Sequence, residues 1–335
     1  MILVTGGMGF IGSNFIVEWV QNSDEVVINF DCLTYASNKK NLKEIQMSKN
    51  YLFIQGNILD KKKMEETLAK FSPRVIFNFA AESHVDNSIN DPHLFVETNV
   101  LGTNNLLTAT LSYWNNLKGL ERDQFRFVQI STDEVFGSLK KSAPPVTEKS
   151  PFKPNNPYAA SKAGGDHLVR AYNKTYGLPT LVTHSSNNFG PRQYSEKLIP
   201  LVINRALSNK SIPIYGDGRN VRDWIYVRDN CKSIIQVWKY GIIGESYNIG
   251  ANNEIENNEL VRRICKELDE KVPDPRKQSY FELVEYVPDR SGHDTRYSLN
   301  TKKVKKIPGI EIKHDFDKKF RKTVEWYICQ FSDLN

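Results

Sequence analysis

The sequence predicts an α/β protein, a doubly wound parallel sheet with helices on both faces, followed by a smaller C-terminal α/β domain. Three observations carry this. Short apolar runs alternate with helical segments through about residue 185, and continuous runs of that length suit strands buried on both faces. A glycine cluster, Gly6-Gly7-Met8-Gly9-Phe10-Ile11-Gly12, separates the first such run from the first helix. After Ser185 the alternation becomes irregular.

The elements follow in order. Ile2 to Thr5 reads as a strand that stops at Gly6-Gly7. Phe15, Ile16, Trp19 and Val20 are spaced for one buried face of a helix. Val26 to Phe30, Tyr51 to Gln55 and Val75 to Phe79 are the next strands, with a helix over Lys61 to Phe71 between the last two. A single long helix is expected over Leu94 to Tyr113, and further strands over Phe125 to Ile130 and Thr180 to Thr183. Pro144, Pro145, Pro151, Pro154 and Pro157 fix φ and remove backbone donors, so Ala143 to Pro157 is an extended loop leading to a helix near Tyr158. Loops are expected over Asn187 to Glu196 and Tyr215 to Arg222, and helices over Val227 to Trp238, Leu260 to Leu268 and Phe316 to Phe331. The expected division is a cofactor domain over 1–185, with a returning segment at about 223–247, and a substrate domain over 186–335.

Composition narrows the function classes. The 335 residues are 39% hydrophobic and 25% charged, ordinary for a globular protein. No run approaches the roughly 20 apolar residues of a membrane span, and the first residues lack the charged start of a signal peptide. A soluble, cytoplasmic protein is therefore expected. Cys32, Cys231, Cys265 and Cys329 have no metal-ligand spacing, and the six histidines form no H-x-x-x-H pair, so no metal is expected. The net charge of +6 includes lysines at 302–306 and 318–322. With no interleaved aromatic residues, those clusters read as solvated helical faces rather than a nucleic-acid surface. The positive excess suits a pyrophosphate-bearing substrate.

Gly6, Gly9 and Gly12 give G-x-x-G-x-x-G between a strand and a helix. Glycines there let backbone N–H groups approach a pyrophosphate at the positive helix N-terminus, the signature of a Rossmann-type dinucleotide site. Asp31 closes the second strand, where an acid binds a ribose 2′-hydroxyl and repels the 2′-phosphate of NADP. NAD is the expected cofactor.

Tyr158 and Lys162 are four apart and share a helical face. A neighbouring ammonium favours a phenolate, so the pair suits proton removal from an alcohol while hydride leaves the same carbon. Thr132-Asp133-Glu134 ends a strand. Two adjacent carboxyls raise one another's proton affinity, so one can act as acid while the other acts as base.

The glycine motif together with Y-x-x-x-K resembles the extended short-chain dehydrogenase/reductase superfamily. Within it, Ser131-Thr132-Asp133-Glu134-Val135 looks like the signature of nucleotide-sugar dehydratases. The resemblance runs closest to the dTDP-glucose 4,6-dehydratase family and covers nearly the whole chain. Its segments are Ala80-Ala81-Glu82-Ser83-His84-Val85-Asp86, Thr98-Asn99-Val100-Leu101-Gly102-Thr103, Ser186-Asn187-Asn188-Phe189-Gly190-Pro191, Glu196-Lys197-Leu198-Ile199-Pro200, the Pro213 to Trp224 stretch, and Asp289-Arg290-Ser291-Gly292-His293-Asp294.

The resemblance implies dehydration of dTDP-glucose to dTDP-4-keto-6-deoxyglucose by internal hydride transfer through NAD. It makes Thr132 the partner of the sugar 4-hydroxyl, Asp133 the acid, Glu134 the base, Tyr158 the oxidation base and Lys162 the holder of the nicotinamide ribose. Further cofactor contacts are implied at Phe10, Ile11, Leu33, Thr34, Asn57, Ile58, Ala80, Ala81, Ser83, Thr98 and Asn188. Asn187, Lys197, Arg222, Asn257 and His293 would meet the nucleotide diphosphate. Other substrate contacts are implied at Ser83, His84, Glu196, Leu198, Pro213, Ile214, Tyr215, Asp289 and Arg290.

Asn57, Asn87, His184, Arg192 and Ser195 depart from the family pattern. A homodimer joined through first-domain helices is also implied. A UDP-glucose 4,6-dehydratase and a nucleotide-sugar 4-epimerase remain the alternatives on this scaffold. Alternatives from other classes are a non-catalytic binding protein and an RNA-binding one.

Overall fold

The computed structural model describes residues 1–312 and 315–332. Its strands are β1 (Ile2–Thr5), β2 (Val27–Asp31), β3 (Tyr51–Gln55), β4 (Val75–Asn78), β5 (Arg126–Thr132), β6 (Thr180–Ser185), β7 (Asn187–Phe189), β8 (Ile212–Tyr215), β9 (Val221–Tyr226), β10 (Ser246–Ile249), β11 (Glu254–Glu256) and β12 (Val284–Val287). Seven form one sheet in the order β3-β2-β1-β4-β5-β6-β10. Every pairing in it is parallel, with Ile2 opposite both Val27 and Val75 and Phe127 opposite Thr180. The order reverses between β1 and β4. Such a switch point opens a crevice at the carboxyl ends of the strands, where open α/β sheets bind ligands.

Period-two alternation sorts the apolar side chains of these strands onto two faces. Ile2, Val4, Val27, Val75, Phe77, Val128 and Leu181 join Phe15, Trp19 and Trp238 in one core. Leu3, Ile28, Ile76, Phe127 and Val182 join Met64, Leu106 and Val169 in the other. A third core lies around Phe189, Ile203, Trp224, Leu260, Ile264 and Phe320. There β9 pairs parallel with β7 and antiparallel with β11, and β8 pairs with β12.

Several expectations are corrected. The long helix over Leu94 to Tyr113 is three segments: Pro92–Val96, a π-helical turn Glu97–Gly102, and Thr103–Asn116. The extra residue of the π turn goes with a buried clamp. Asn99 Nδ2 donates to the Glu82 carbonyl and to Ser161 Oγ, both at 2.9 Å, and Asn99 Oδ1 accepts from Glu82 N. The loops expected over Asn187 to Glu196 and Tyr215 to Arg222 are shorter, because β7, β8 and β9 enter them. β7 has only three residues, and Arg222 and Asp223 interrupt the apolar run of β9, so periodicity is uninformative there.

The helix Leu198–Leu207 was not expected. Pro200 reads as a breaker, but it sits in the first turn, where its missing N–H has no intrahelical partner to lose. β10 pairs with β6, while Val304 and Ile307 pack into the first core, so the late chain contributes to the large sheet's body. Some late cations are engaged locally: Lys303 with Glu245, Lys319 with Asp229 and Arg321 with Glu267. Among the described residues, no helix is long and apolar enough to cross a membrane.

Candidate active site

The carboxyl ends of β1, β2, β4, β5 and β6 open into a cavity of about 520 Å³. The expected catalytic, cofactor and substrate residues line it, with two exceptions, Leu33 and Asp289. Leu33 donates its N–H to Asp31 and packs its side chain against the first core. Asp289 instead holds His293 Nδ1 at 2.6 Å and accepts from Arg290 N at 2.9 Å.

The glycine turn divides into two roles. Gly6 has φ +70°, and a Cβ there would stand 2.6 Å from Ala80 N; on Gly12 it would stand 2.4 Å from Gly6 O. Both are demanded by the fold itself. Gly9 is different, since its nearest neighbour would be Gly6 O at 3.4 Å. That open face is where a pyrophosphate can approach the backbone. Beside it, Asp31 Oδ2 accepts from Met8 N and Oδ1 from Leu33 N, both at 2.8 Å, with Ser37 Oγ at 3.0 Å. A carboxylate has about four acceptor sites, so room for a ribose hydroxyl remains. The residues present fit NAD.

Thr132 is the last residue of β5, and a 3₁₀ turn, Asp133–Phe136, follows. Thr132 Oγ1 accepts from Glu134 N at 3.3 Å and donates to Asp133 Oδ1 at 3.2 Å. Asp133 is 3% exposed, and its Oδ2 has no hydrogen-bond partner among the described residues. Burial pushes its carboxyl well above the ordinary range, with Glu134 and Asp223 adding to the push. Burial also raises Glu134, but Arg222 and Lys197 oppose that rise. The environments thus separate the two carboxyls, with Asp133 the better proton holder and Glu134 the one supported as an anion.

The helix Pro157–Tyr176 carries Tyr158 and Lys162. Asn156 caps it, accepting from Ala159 N at 2.8 Å, and Pro157 supplies the preset first position. Lys162 Nζ donates to the Ile130 carbonyl at 2.7 Å, tying the helix to β5. The expected lowering of the Tyr158 pKa is corrected here. Burial, then the nearby Glu134, raise the phenol above its ordinary value, while a hydrogen bond with Thr132 pulls the other way. Burial also lowers the proton affinity of the Lys162 ammonium.

At the far end, cations gather. Arg222 Nη2 donates to the Asp294 carbonyl at 2.8 Å, and its guanidinium lies 4.3 Å from the Tyr297 ring centre. Arg290 pairs with Asp86 at 3.3 Å over the Tyr215 ring. Lys197 Nζ donates to Ser83 O at 2.8 Å. Asn187 Oδ1 and Asn257 Oδ1 are buried without partners among the described residues, as oxygens awaiting a ligand donor would be. Guanidinium groups here suit phosphate oxygens.

The departures sort by place. Asn57 lines the cavity, its Oδ1 accepting from Leu59 N at 2.9 Å, which leaves the amide N–H groups for a ligand. Asn87 donates to the Tyr35 hydroxyl at 3.0 Å. His184 is buried away from the cavity wall, 3.4 Å from Asp166 and edge-on to the rings of Phe136 and Phe152, which also touch each other. Arg192 bridges Asn14 and Glu44 at 2.9 and 2.7 Å. Sequence reading passed over Tyr297 and Asn156, which also line the cavity. Tyr297 is 163 residues from Glu134, and only the fold joins them. Among the described residues, no three His, Cys, Asp or Glu side chains group to hold a metal.

Comparison with known proteins agrees with this geometry. A family model described as GDP-mannose 4,6 dehydratase matches residues 3–323. The dTDP-glucose 4,6-dehydratase of Xanthomonas campestris is 47% identical over 326 residues, covering 97% of this chain and 92% of the relative. The solved structure of a Streptomyces venezuelae dTDP-glucose 4,6-dehydratase, with NAD and the ligand TYD bound, has TM-score 0.88 at 40% identity, covering 99% of this chain and 98% of that one. The UDP-glucose 4-epimerase of Thermotoga maritima, solved with UDP-glucose, has TM-score 0.84 at 28% identity, covering 98% and 99%. With the paired carboxyls at the end of β5 and relatives of this closeness, the chain belongs to the nucleotide-sugar 4,6-dehydratases and, among them, to the dTDP-glucose 4,6-dehydratase family.

Proposed function

We propose that this protein removes water from dTDP-glucose through bound NAD, yielding dTDP-4-keto-6-deoxyglucose. The observation that carries the reading is the Thr132-Asp133-Glu134 turn, which faces the same cavity as the glycine turn and the Tyr158–Lys162 pair. NAD, when bound in the Gly6–Gly12 turn, would supply the acceptor for the C4 hydride and the donor that gives it back at C6, so no redox equivalent is consumed. Tyr158, as the phenolate that the positive nicotinamide of bound NAD and the Lys162 ammonium would favour against its burial, takes the 4-hydroxyl proton, Thr132 hydrogen-bonds that oxygen, and Lys162 holds the nicotinamide ribose. The C4 carbonyl then acidifies C5. Glu134 takes the C5 proton as the C5–C6 double bond forms and the C6–O bond breaks, and Asp133 donates the proton that makes the leaving hydroxyl water. Glu134 returns its proton to C5 as hydride reaches C6. The 4-hydroxyl proton replaces the one Asp133 gave up.

We assign the large sheet's body to the cofactor and the third core's body to the nucleotide sugar. Asn187, Lys197, Arg222, Asn257, Arg290 and His293 are the proposed holders of the nucleotide diphosphate. A cytoplasmic homodimer is part of the proposal. Exposed Leu94, Val96 and Leu101, on the helices that follow β4, support a covered face, and the buried free thiols of Cys231 and Cys265 suit a reducing compartment.

Incubating the purified protein with dTDP-glucose tests the reaction. The expected product absorbs in alkali as a keto sugar and is lighter by one water. Conversion to a C4 epimer of unchanged mass would replace this reading with the epimerase one.

A further inference from the structure

Glu134 has to change protonation state inside a closed site, where an unsatisfied polar group is costly in either state. Its surroundings therefore bear on how well it works. Glu134 Oε2 lies 3.4 Å from the hydroxyl of Tyr297. That hydroxyl also contacts Asp294 Oδ2, at 2.5 Å. Tyr297 is 4% exposed, and its ring is covered by the Arg222 guanidinium, which donates to the Asp294 carbonyl. Asp294 is itself held by Asn155 Nδ2, donating to Oδ1 at 2.6 Å. The reaction above gives Tyr297 no task.

A phenol carries one proton and two acceptor lone pairs. While its proton points to Asp294, the Tyr297 oxygen presents a lone pair to Glu134. It can then accept a hydrogen bond from Glu134 once that residue has taken the C5 proton. While Glu134 is an anion, the same hydroxyl can rotate and donate to it. A purely donating group, such as a guanidinium, serves only the anion.

We propose that Tyr297 is the positioning residue for Glu134, holding its carboxyl in aim and satisfying it in both protonation states. The inference rests on the reading that Glu134 is the base. Because Arg222 covers the Tyr297 ring, the group proposed to grip the diphosphate also fixes the partner of the base. Substrate engagement and base alignment are thereby joined through one aromatic ring.

Tyr297→Phe keeps the ring and its burial and removes only the hydroxyl. The expected result is a kcat lower by about 10- to 100-fold, the loss of one hydrogen bond to a charged group, with KM changed by less than about threefold. A C5-deuterium isotope effect should grow. The acid limb of the pH profile should move up, since the anion loses a donor. Bound NAD and the melting curve serve as folding controls. If Tyr297→Phe does not fold, a ring-fluorinated tyrosine at 297 replaces it: its more acidic hydroxyl donates more strongly to the Glu134 anion, and the acid limb should move down. A kcat within about twofold of the parent and an unmoved acid limb overturn the proposal. Glu134→Gln, run alongside, separates the two levels. If it is inactive while Tyr297→Phe is normal, only this inference fails; if it turns over normally, the base assignment fails.

Discussion

Thr132 Oγ1 donates to Asp133 Oδ1 at 3.2 Å while accepting the N–H of Glu134, so one hydroxyl orients both carboxyl-bearing residues. The other oxygen of Asp133 is left without a partner among the described residues. Asp133 lines the cavity, so that oxygen is free to meet a leaving hydroxyl.

Asp133→Asn should keep oxidation at C4 and lose dehydration by about 10²- to 10⁴-fold, the usual contribution of a positioned acid. A 4-keto hexose nucleotide that retains its 6-hydroxyl should build up. Mass spectrometry of quenched single turnovers reads this directly. Wild-type dehydration in the variant contradicts the role of Asp133.

The same substitution should stabilise the fold at neutral pH. Burial raises the folded pKa of Asp133 above its ordinary value of 3.8, so the folded chain binds that proton more tightly than the unfolded one. Stability from this group is full below the unfolded value and is lost as pH rises through the folded one. Asparagine removes that loss, by on the order of 1–2 kcal/mol. Melting curves at pH 5 and pH 8 should show the variant's advantage growing with pH. No pH dependence in the difference would mean that Asp133 is not a strained carboxyl.

Turnover should follow a bell-shaped pH profile. The acid limb reports Glu134, which burial raises above the ordinary carboxylate value, so activity falls as pH drops through that raised value. The alkaline limb reports loss of the proton from Asp133. A kcat/KM profile flat across the carboxylate range is the opposing result.

Gly9→Ala and Gly12→Ala should fail differently. A Cβ on Gly9 meets nothing closer than 3.4 Å, so that variant should fold and release NAD more readily. At Gly12 the Cβ would press within 2.4 Å of the Gly6 carbonyl, and the chain itself should lose stability. Bound-NAD absorbance after desalting, beside a thermal melt, distinguishes them. Equal NAD retention in parent and Gly9→Ala would exclude an approach at that face.

Much of the fold was legible because its first half is built from local signals. β1, β3 and the helix Lys61–Phe71 stand where the apolar runs and periodicity put them. The strands after Ser185 were not legible, since β7 and β11 have three residues each and pair across long separations. The glycine turn, Asp31, Tyr158 and Lys162 were readable from spacing, because each couple is close in sequence. Thr132, Asp133 and Glu134 needed the family resemblance to acquire a chemistry. Tyr297 carried no signal of its own, and the depth of burial that raises rather than lowers the Tyr158 pKa is a property of packing alone.

The decisive experiment uses dTDP-glucose labelled with deuterium at C4. Product mass and the position of the label are read after full conversion. The expected product has lost one water and carries the deuterium at C6, since the hydride taken from C4 returns there. A product of unchanged mass with the label still at C4, or loss of the label to solvent, would contradict elimination at Asp133 and Glu134 coupled to an internal hydride return.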